Sequence, residues 1–282
     1  MIDKKVNSLL TNGHRPLTFG AVAMLLAIPL MLVQAGAVFA EDQRFYVGIA
    51  VPVEQLNASF DKTVDNTDEN TLVLESRKGM VFRDEDSANT SAYGIGLLAG
   101  YRASLAESSF YLSGEVDIAL HDGEVEGQLA GIGESEGRNQ LGESWPDHWS
   151  LAKDRSYGFT LKLGGGFGAL RNFYALAGIR RVEAQFTTRY YGCLDVSLCS
   201  EAEDTPNFAS GTDSRDLDLQ GWTAGIGLEK ALGQQLALRA ETRYTQYASE
   251  DWVTPFDDVG VTVPAVLEAN EVSLSLRLAR YF

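Results

Sequence analysis

Tyr93-Gly-Ile-Gly-Leu-Leu-Ala-Gly-Tyr101 sets Tyr93, Ile95, Leu97, Ala99 and Tyr101 against Gly94, Gly96, Leu98 and Gly100. Successive side chains of a β-strand point to opposite faces, so this stretch has one apolar face and one made largely of glycine. The pattern recurs. Phe110, Leu112, Val116, Ile118 and Leu120 alternate with Tyr111, Ser113, Glu115, Asp117 and Ala119. Tyr157, Phe159, Leu161, Leu163 and Phe167 alternate with Gly158, Thr160, Lys162, Gly164, Gly166 and Gly168. Trp222, Ala224, Ile226 and Leu228 oppose Gly221, Thr223, Gly225, Gly227 and Glu229. Leu236, Leu238, Ala240, Thr242 and Tyr244 oppose Ala237, Arg239, Glu241, Arg243 and Thr245. Val272, Leu274, Leu276 and Leu278 oppose Ser273, Ser275 and Arg277. Residues 43–51 and 173–186 complete a set of eight. Each run is about 9–13 residues, the length with which a tilted strand crosses a bilayer.

The connections alternate in length. Residues 103–108, 169–172 and 230–234 are short; residues 52–91, 121–156, 187–218 and 248–270 are long. Short turns on one side and long loops on the other are the arrangement of an outer-membrane barrel. The expected fold is therefore all-β: an eight-stranded antiparallel up-and-down transmembrane β-barrel over residues 41–282, with four long external loops. A soluble lipocalin-like barrel is the competing architecture, and it would turn its apolar face inward.

The first forty residues read differently. Lys4, Lys5 and Arg15 precede the uncharged run Ala21–Val33, and Val38 and Ala40 precede Glu41-Asp42. A basic start, a short apolar run and small residues before a cut describe an export signal over residues 1–40. Cleavage is expected after Ala40, with Ala37 as the alternative. The 13-residue run, interrupted by Pro29, is short of the ~20 residues that a spanning helix needs. No Cys lies near the cut, which argues against a lipoprotein. In an exported chain, Cys193 and Cys199, with five residues between them, suggest a small disulfide.

Net charge is −16, and it is unevenly spread. The four long loops carry 29 acidic and 9 basic residues, the rest of the chain 10 and 14. Within the strands, charges fall on the face opposite the apolar one. Arg102, Glu115, Asp117, Lys162, Arg181, Glu229, Arg239, Glu241, Arg243 and Arg277 are expected to form a paired network in the lumen, since buried charges require partners. Eight strands enclose only enough space for side chains to fill. The lumen glycines are expected to make room for long Arg and Glu side chains. Arg180 and Arg280 fall on the apolar face by strict alternation. A β-bulge near Arg180-Arg181 would bring Arg180 inside, and Arg280, near the chain end, can reach the interface.

With its aromatic strand ends (Tyr93, Tyr101, Phe110, Tyr157, Phe173, Tyr174, Phe186, Trp222, Tyr244) and its terminal Phe282, the chain resembles the small outer-membrane barrels of the OmpA/OmpX and opacity-protein type. That resemblance implies that Phe282, closing an alternating strand, is the signal for the outer-membrane assembly machinery. Here Arg280 stands where the family has an aromatic or apolar residue.

Sites for chemistry are sparse. His121, beside Asp122, is expected to be a solvated rim histidine; the alternative is a general base. His148-Trp149-Ser150 resembles the His-x-Ser of outer-membrane lipid A deacylases, but Leu151 replaces the following Asn. The acidic stretches 65–70 and 84–86 lack the spacing of a calcium loop. Basic residues are too scattered for nucleic acid. No cofactor and no metal site is expected. The functional expectation is a non-enzymatic surface protein, monomeric, in contact with outer-membrane lipid and lipopolysaccharide, whose acidic loops mediate interaction or envelope integrity. A narrow pore and a lipid A-type hydrolase are the alternatives.

Overall fold

The protein is described from a computed structural model covering residues 39–69, 71, 78–105, 109–129, 147–167, 170–193, 208–256 and 260–282. Residues 1–38 of the expected export signal lie outside the described residues, as does Cys199. Ten strands follow in order: β1 (Phe39–Asp65), β2 (Val81–Leu105), β3 (Phe110–Asp122), β4 (Glu124–Gln128), β5 (Asp147–Phe167), β6 (Leu170–Cys193), β7 (Phe208–Ala231), β8 (Leu236–Tyr247), β9 (Glu250–Phe256) and β10 (Val261–Tyr281). β4 carries β3 onward past Gly123, and β9 carries β8 onward past Ala248 and Ser249. The ring is therefore eight strands around, in the order β1-β2-β3-β5-β6-β7-β8-β10. It closes where β10 pairs antiparallel with β1, from Tyr46↔Tyr281 to Asp65↔Thr262.

Near the end of the ring that holds Tyr46 and Tyr281, the apolar face is outside. Phe45, Val47, Ile49, Val51 and Val53 of β1, Ile95 and Leu97 of β2, and Val272, Leu274, Leu276 and Leu278 of β10 are all exposed. Serine, threonine, tyrosine and paired charges fill the interior. This is the arrangement for lipid outside and a polar lumen, and it excludes the lipocalin-like inversion. Among the described residues no helix is long and apolar enough to cross a membrane.

The strands run far past the expected boundaries. Much of the expected loops 52–91, 121–156, 187–218 and 248–270 is strand: β1 continues to Asp65, β2 starts at Val81, β6 reaches Cys193 and β10 starts at Val261. The physical reason is an inversion of polarity along each strand. In β1 the apolar outward set ends at Val53, and Leu56, Ala58 and Phe60 are buried inside. In β10, going the same way, Val272 is the last of the outward set, and Ala269, Leu267 and Ala265 are buried. Lipid surrounds the lower wall and water the upper wall, so the apolar side moves from outside to inside. In β5 a register shift between Lys153 and Arg155 makes the same change. Above the lipid band the wall thus encloses its own apolar core. It comprises Leu56, Phe60, Val125, Leu129, Trp149, Leu151, Val182, Phe186, Leu219 and Leu267, with Leu217 and Trp252 packed against it.

Candidate functional site: the charged lumen and its aromatic cap

Alternation aims one residue in two at the barrel axis, and the lumen is built in tiers. At the base, Tyr46 of β1, Tyr111 of β3, Tyr174 of β6 and Tyr281 of β10 turn inward. The rings of Tyr46, Tyr111 and Tyr174 lie over glycines. A Cβ on Gly100 would meet the Tyr46 ring at 2.4 Å, one on Gly164 the Tyr111 ring at 2.2 Å, and one on Gly227 the Tyr174 ring at 2.3 Å. These three lumen glycines make room for tyrosines, whereas Gly158 makes room for charged side chains as expected: a Cβ there would meet Asp117 at 2.9 Å and Arg180 at 3.1 Å. Arg102 donates two hydrogen bonds to Glu229, of 2.9 and 2.6 Å, and Arg239 Nε donates to the same carboxylate at 2.7 Å.

The next tier is the charge network. Glu115 accepts from Lys162 (2.8 Å), Arg277 (2.6 Å), Arg239 (3.0 Å) and the Tyr46 hydroxyl (3.0 Å). Glu241 accepts from Lys162 (2.5 Å), Arg243 (2.6 Å) and the Tyr174 hydroxyl (2.7 Å). Asp117 takes Arg180 at 2.7 Å and Arg243 at 3.3 Å. Nine of the ten expected lumen residues are brought together here: Arg102, Glu115, Asp117, Lys162, Glu229, Arg239, Glu241, Arg243 and Arg277.

The tenth is placed outside. Arg181 faces outward and pairs with Asp218 at 2.7 Å, whereas Arg180 is buried in the lumen. No bulge is involved. The β6–β7 register runs without a shift through Arg180↔Gly221 and Arg181↔Gln220. The lumen face of β6 is itself largely apolar, with Tyr174, Leu176, Val182, Ala184 and Phe186 all buried. Arg180 therefore sits on an apolar-looking face that happens to be the inside. Arg280 does face outward, its guanidinium 5.2 Å from the Phe282 ring centre.

A third tier lies higher, where β1, β3 and β5 run on into the expected loops 52–91 and 121–156. Lys153 donates to Glu54 and to Glu271, each at 2.6 Å. The His121 side chain is fully buried beside them, not solvated at a rim. Its Nε2 is 2.8 Å from Ser156 Oγ, and its Nδ1 lies 3.0 Å from Glu54 Oε2, off the line of a hydrogen bond. Arg180 also donates to Ser156 Oγ, at 2.7 Å. The order carboxylate–imidazole–hydroxyl is that of a hydrolase triad. The void between this tier and the charge network measures about 20 Å³, room for roughly one water. The signal that could have found Glu54, Lys153 and Ser156 is the polarity inversion: inward polar positions continue until the apolar core begins.

That core caps the lumen. Phe60 stacks on Trp252 with ring centres 6.0 Å apart and packs against Phe186 at 4.9 Å. Trp149 Nε1 donates to Asp86 at 2.9 Å. Asp65 accepts from the Thr67 N–H at 2.9 Å, a turn contact rather than a ligand set. No cluster among the described residues could hold a metal. His148 and Ser150 alternate with the buried Trp149, so they lie on the outward face of β5, above the lipid band. Phe282 is 62% exposed at the barrel base, its ring 6.3 Å from Phe45. Cys193 ends β6; its pairing with Cys199 lies outside the described residues.

Comparison with known proteins gives the following. The family described as outer membrane protein beta-barrel domain matches residues 22–277. A 25 kDa outer-membrane immunogenic protein of Brucella canis is 34% identical over 67 residues, which are 24% of this chain and 30% of that protein. This chain thus spans under a third of that relative's length. Among solved structures, the attachment invasion locus protein Ail of Yersinia pestis aligns over 84% of this chain and 99% of its own, at 12% identity and a TM-score of 0.26. The outer-membrane protease OmpT of Escherichia coli aligns over 86% and 98%, at 7% identity and a TM-score of 0.36.

Proposed function

Since this chain belongs to the outer membrane protein beta-barrel domain family and so resides in the outer membrane of a Gram-negative bacterium, we propose that it is a non-enzymatic surface protein whose acidic external wall makes contacts outside the cell. The observation that carries this reading is the filled interior. Three tiers of paired charges and an apolar cap occupy the lumen, so what remains available is the outer surface of the extended strands. A rigid barrel is a platform on which such a surface can vary. Contact with lipopolysaccharide along the lipid band, a monomeric state, removal of residues 1–40 on export and a Cys193–Cys199 disulfide belong to the same reading.

Against the pore alternative, paired side chains and an apolar cap fill the described lumen. The hydrolase alternative has the His121, Ser156 and Glu54 arrangement in its favour. Against it, Ser156 is sealed between the charge network and the cap, and a void for one water leaves no room for an acyl group.

The test has two arms. Purified protein in a planar bilayer is expected to give no steady conductance, and a fluorophosphonate probe is expected to leave Ser156 unlabelled. Cells lacking the protein are expected to differ from complemented cells in adhesion or detergent sensitivity. A chain with neutralised external acids should insert normally without restoring the difference. Steady conductance, labelling of Ser156 or full rescue by the neutralised chain would each overturn the reading.

A further inference from the structure

The upper wall is not zipped all the way round. β7 pairs with β6 up to Cys193↔Phe208, yet its pairing with β8 stops at Gly221↔Tyr247. The last bond across is from Ala248 N–H to the Gln220 carbonyl, at 2.7 Å. Beyond it, among the described residues, β9 pairs with β10 alone. The cause lies at Ala248-Ser249. Gln246 faces Asn270 while Glu250 faces Leu267, so four steps along β8 and β9 match three along β10. That extra residue is a bulge, which bends a strand away from its former neighbour. Two strand edges, Phe208–Leu219 and Glu250–Phe256, therefore flank an unladdered seam.

The edges have a direction and a chemistry. Gln220 turns its backbone groups toward the seam, and alternation turns those of Asp218, Asp216, Ser214 and Thr212 the same way. The floor of the seam is apolar, where Leu217 and Trp252 pack against the core and are only partly buried. The Arg215 guanidinium covers the Trp252 ring at 4.3 Å. The rim is acidic, with Asp213, Asp216 and Asp218 on β7 and Glu250 and Asp251 on β9. Arg181 takes Asp218, and Arg215 lies 3.5 Å from Asp213. Among the described residues Asp216, Glu250 and Asp251 have no ion pair. Burial, with Asp251 and Asp218 nearby, holds the Glu250 carboxyl above its ordinary pKa.

Exposed strand edges template the pairing of a further strand. Like charges facing each other oppose closure of the seam on itself and pairing with a second copy of this chain. We propose that the seam between β7 and β9 binds an extended peptide as an added strand, its basic side chains outward against Asp216 and Asp251 and its apolar ones inward on Leu217 and Trp252. This rests on the surface-contact reading above and names the class of partner.

The probe is a fluorescein-labelled peptide of four Lys-Val repeats, titrated by anisotropy against the full chain folded in lipid nanodiscs. Saturable binding of one peptide per barrel is expected. Methylating alternate backbone nitrogens of the peptide, which keeps its charge, should weaken binding at least about tenfold. Ser214→Pro should do the same, because it removes an N–H facing the seam and none in the β6 ladder; Asp216→Asn with Asp251→Asn should weaken binding and flatten its salt dependence. Absence of binding to the wild-type barrel overturns the seam proposal, as does equal binding of the N-methylated peptide, which needs no variant to fold. The adhesion comparison does not use this probe. If it succeeds while the peptide fails, only the seam is wrong; if both fail, the surface-contact reading falls as well.

Discussion

Glu115 shows how much a single lumen residue carries. Its carboxylate meets Lys162, Arg239 and Arg277 and is fully buried. A buried ion cluster adds little net stability over apolar packing, but removing one partner strands the rest. Glu115→Gln should therefore destabilise the barrel by roughly 3–5 kcal/mol, read as a lower urea midpoint for unfolding from micelles. An unchanged midpoint would mean that water or neighbouring carboxylates neutralise the three cations. Glu250 gives the opposite kind of prediction. Its folded-state pKa is raised, so the folded protein holds this proton more tightly than the unfolded chain does. Stability from this group grows as pH falls through the raised value and is lost as pH rises above it. Glu250→Gln should raise the neutral-pH midpoint slightly and flatten the difference between pH 7 and pH 5. A variant profile parallel to the wild type would rule this out.

Polarity along a strand is the property that matters at the level of elements. An outward side chain meets lipid low on the wall and water high on it. Leu276 of β10 lies within the exposed apolar set, while Ser87 of β2 is exposed on the upper wall. Leu276→Lys should cost ~2–4 kcal/mol in lipid vesicles, whereas Ser87→Lys should fold as the wild type does. Similar costs at the two positions would show that the lipid boundary is misplaced. The inward counterpart is Phe60, which packs on Trp149, Phe186 and Trp252. Phe60→Ala should cost about 3 kcal/mol or more, comparable to a core truncation in a water-soluble protein, because this core is surrounded by water and not lipid.

Closure of the ring by β1 and β10 brings Phe45 and Phe282 together at one end of the barrel. Phe282 is exposed and makes a backbone bond to the Phe45 carbonyl, at 2.9 Å. Its ring adds little to the packed structure. Phe282→Ala is thus expected to leave the boiling-dependent gel shift of the refolded protein intact, while lowering the amount assembled in the outer membrane of cells several-fold. Equal losses in both measurements would assign the ring a structural role in place of recognition by the assembly machinery.

Period-two alternation of Tyr93–Tyr101 and its counterparts determined the strand number, the barrel class and the outward apolar band, because lipid leaves a strand only one pattern to follow. The sign of most lumen charges was equally legible: Glu115, Lys162 and Arg239 oppose apolar neighbours within their own strands. Other features depended on contacts between strands. Arg180 and Arg181 are chemically alike and adjacent, and only the neighbours of β6 say which one is inside. Glu54, Ser156 and His121 are distant in sequence and meet because three strands bring them to one height in the lumen. The true lengths of the strands were hidden for a related reason. Above the lipid, alternation persists but reverses its sense, and a sequence alone does not say where water replaces lipid.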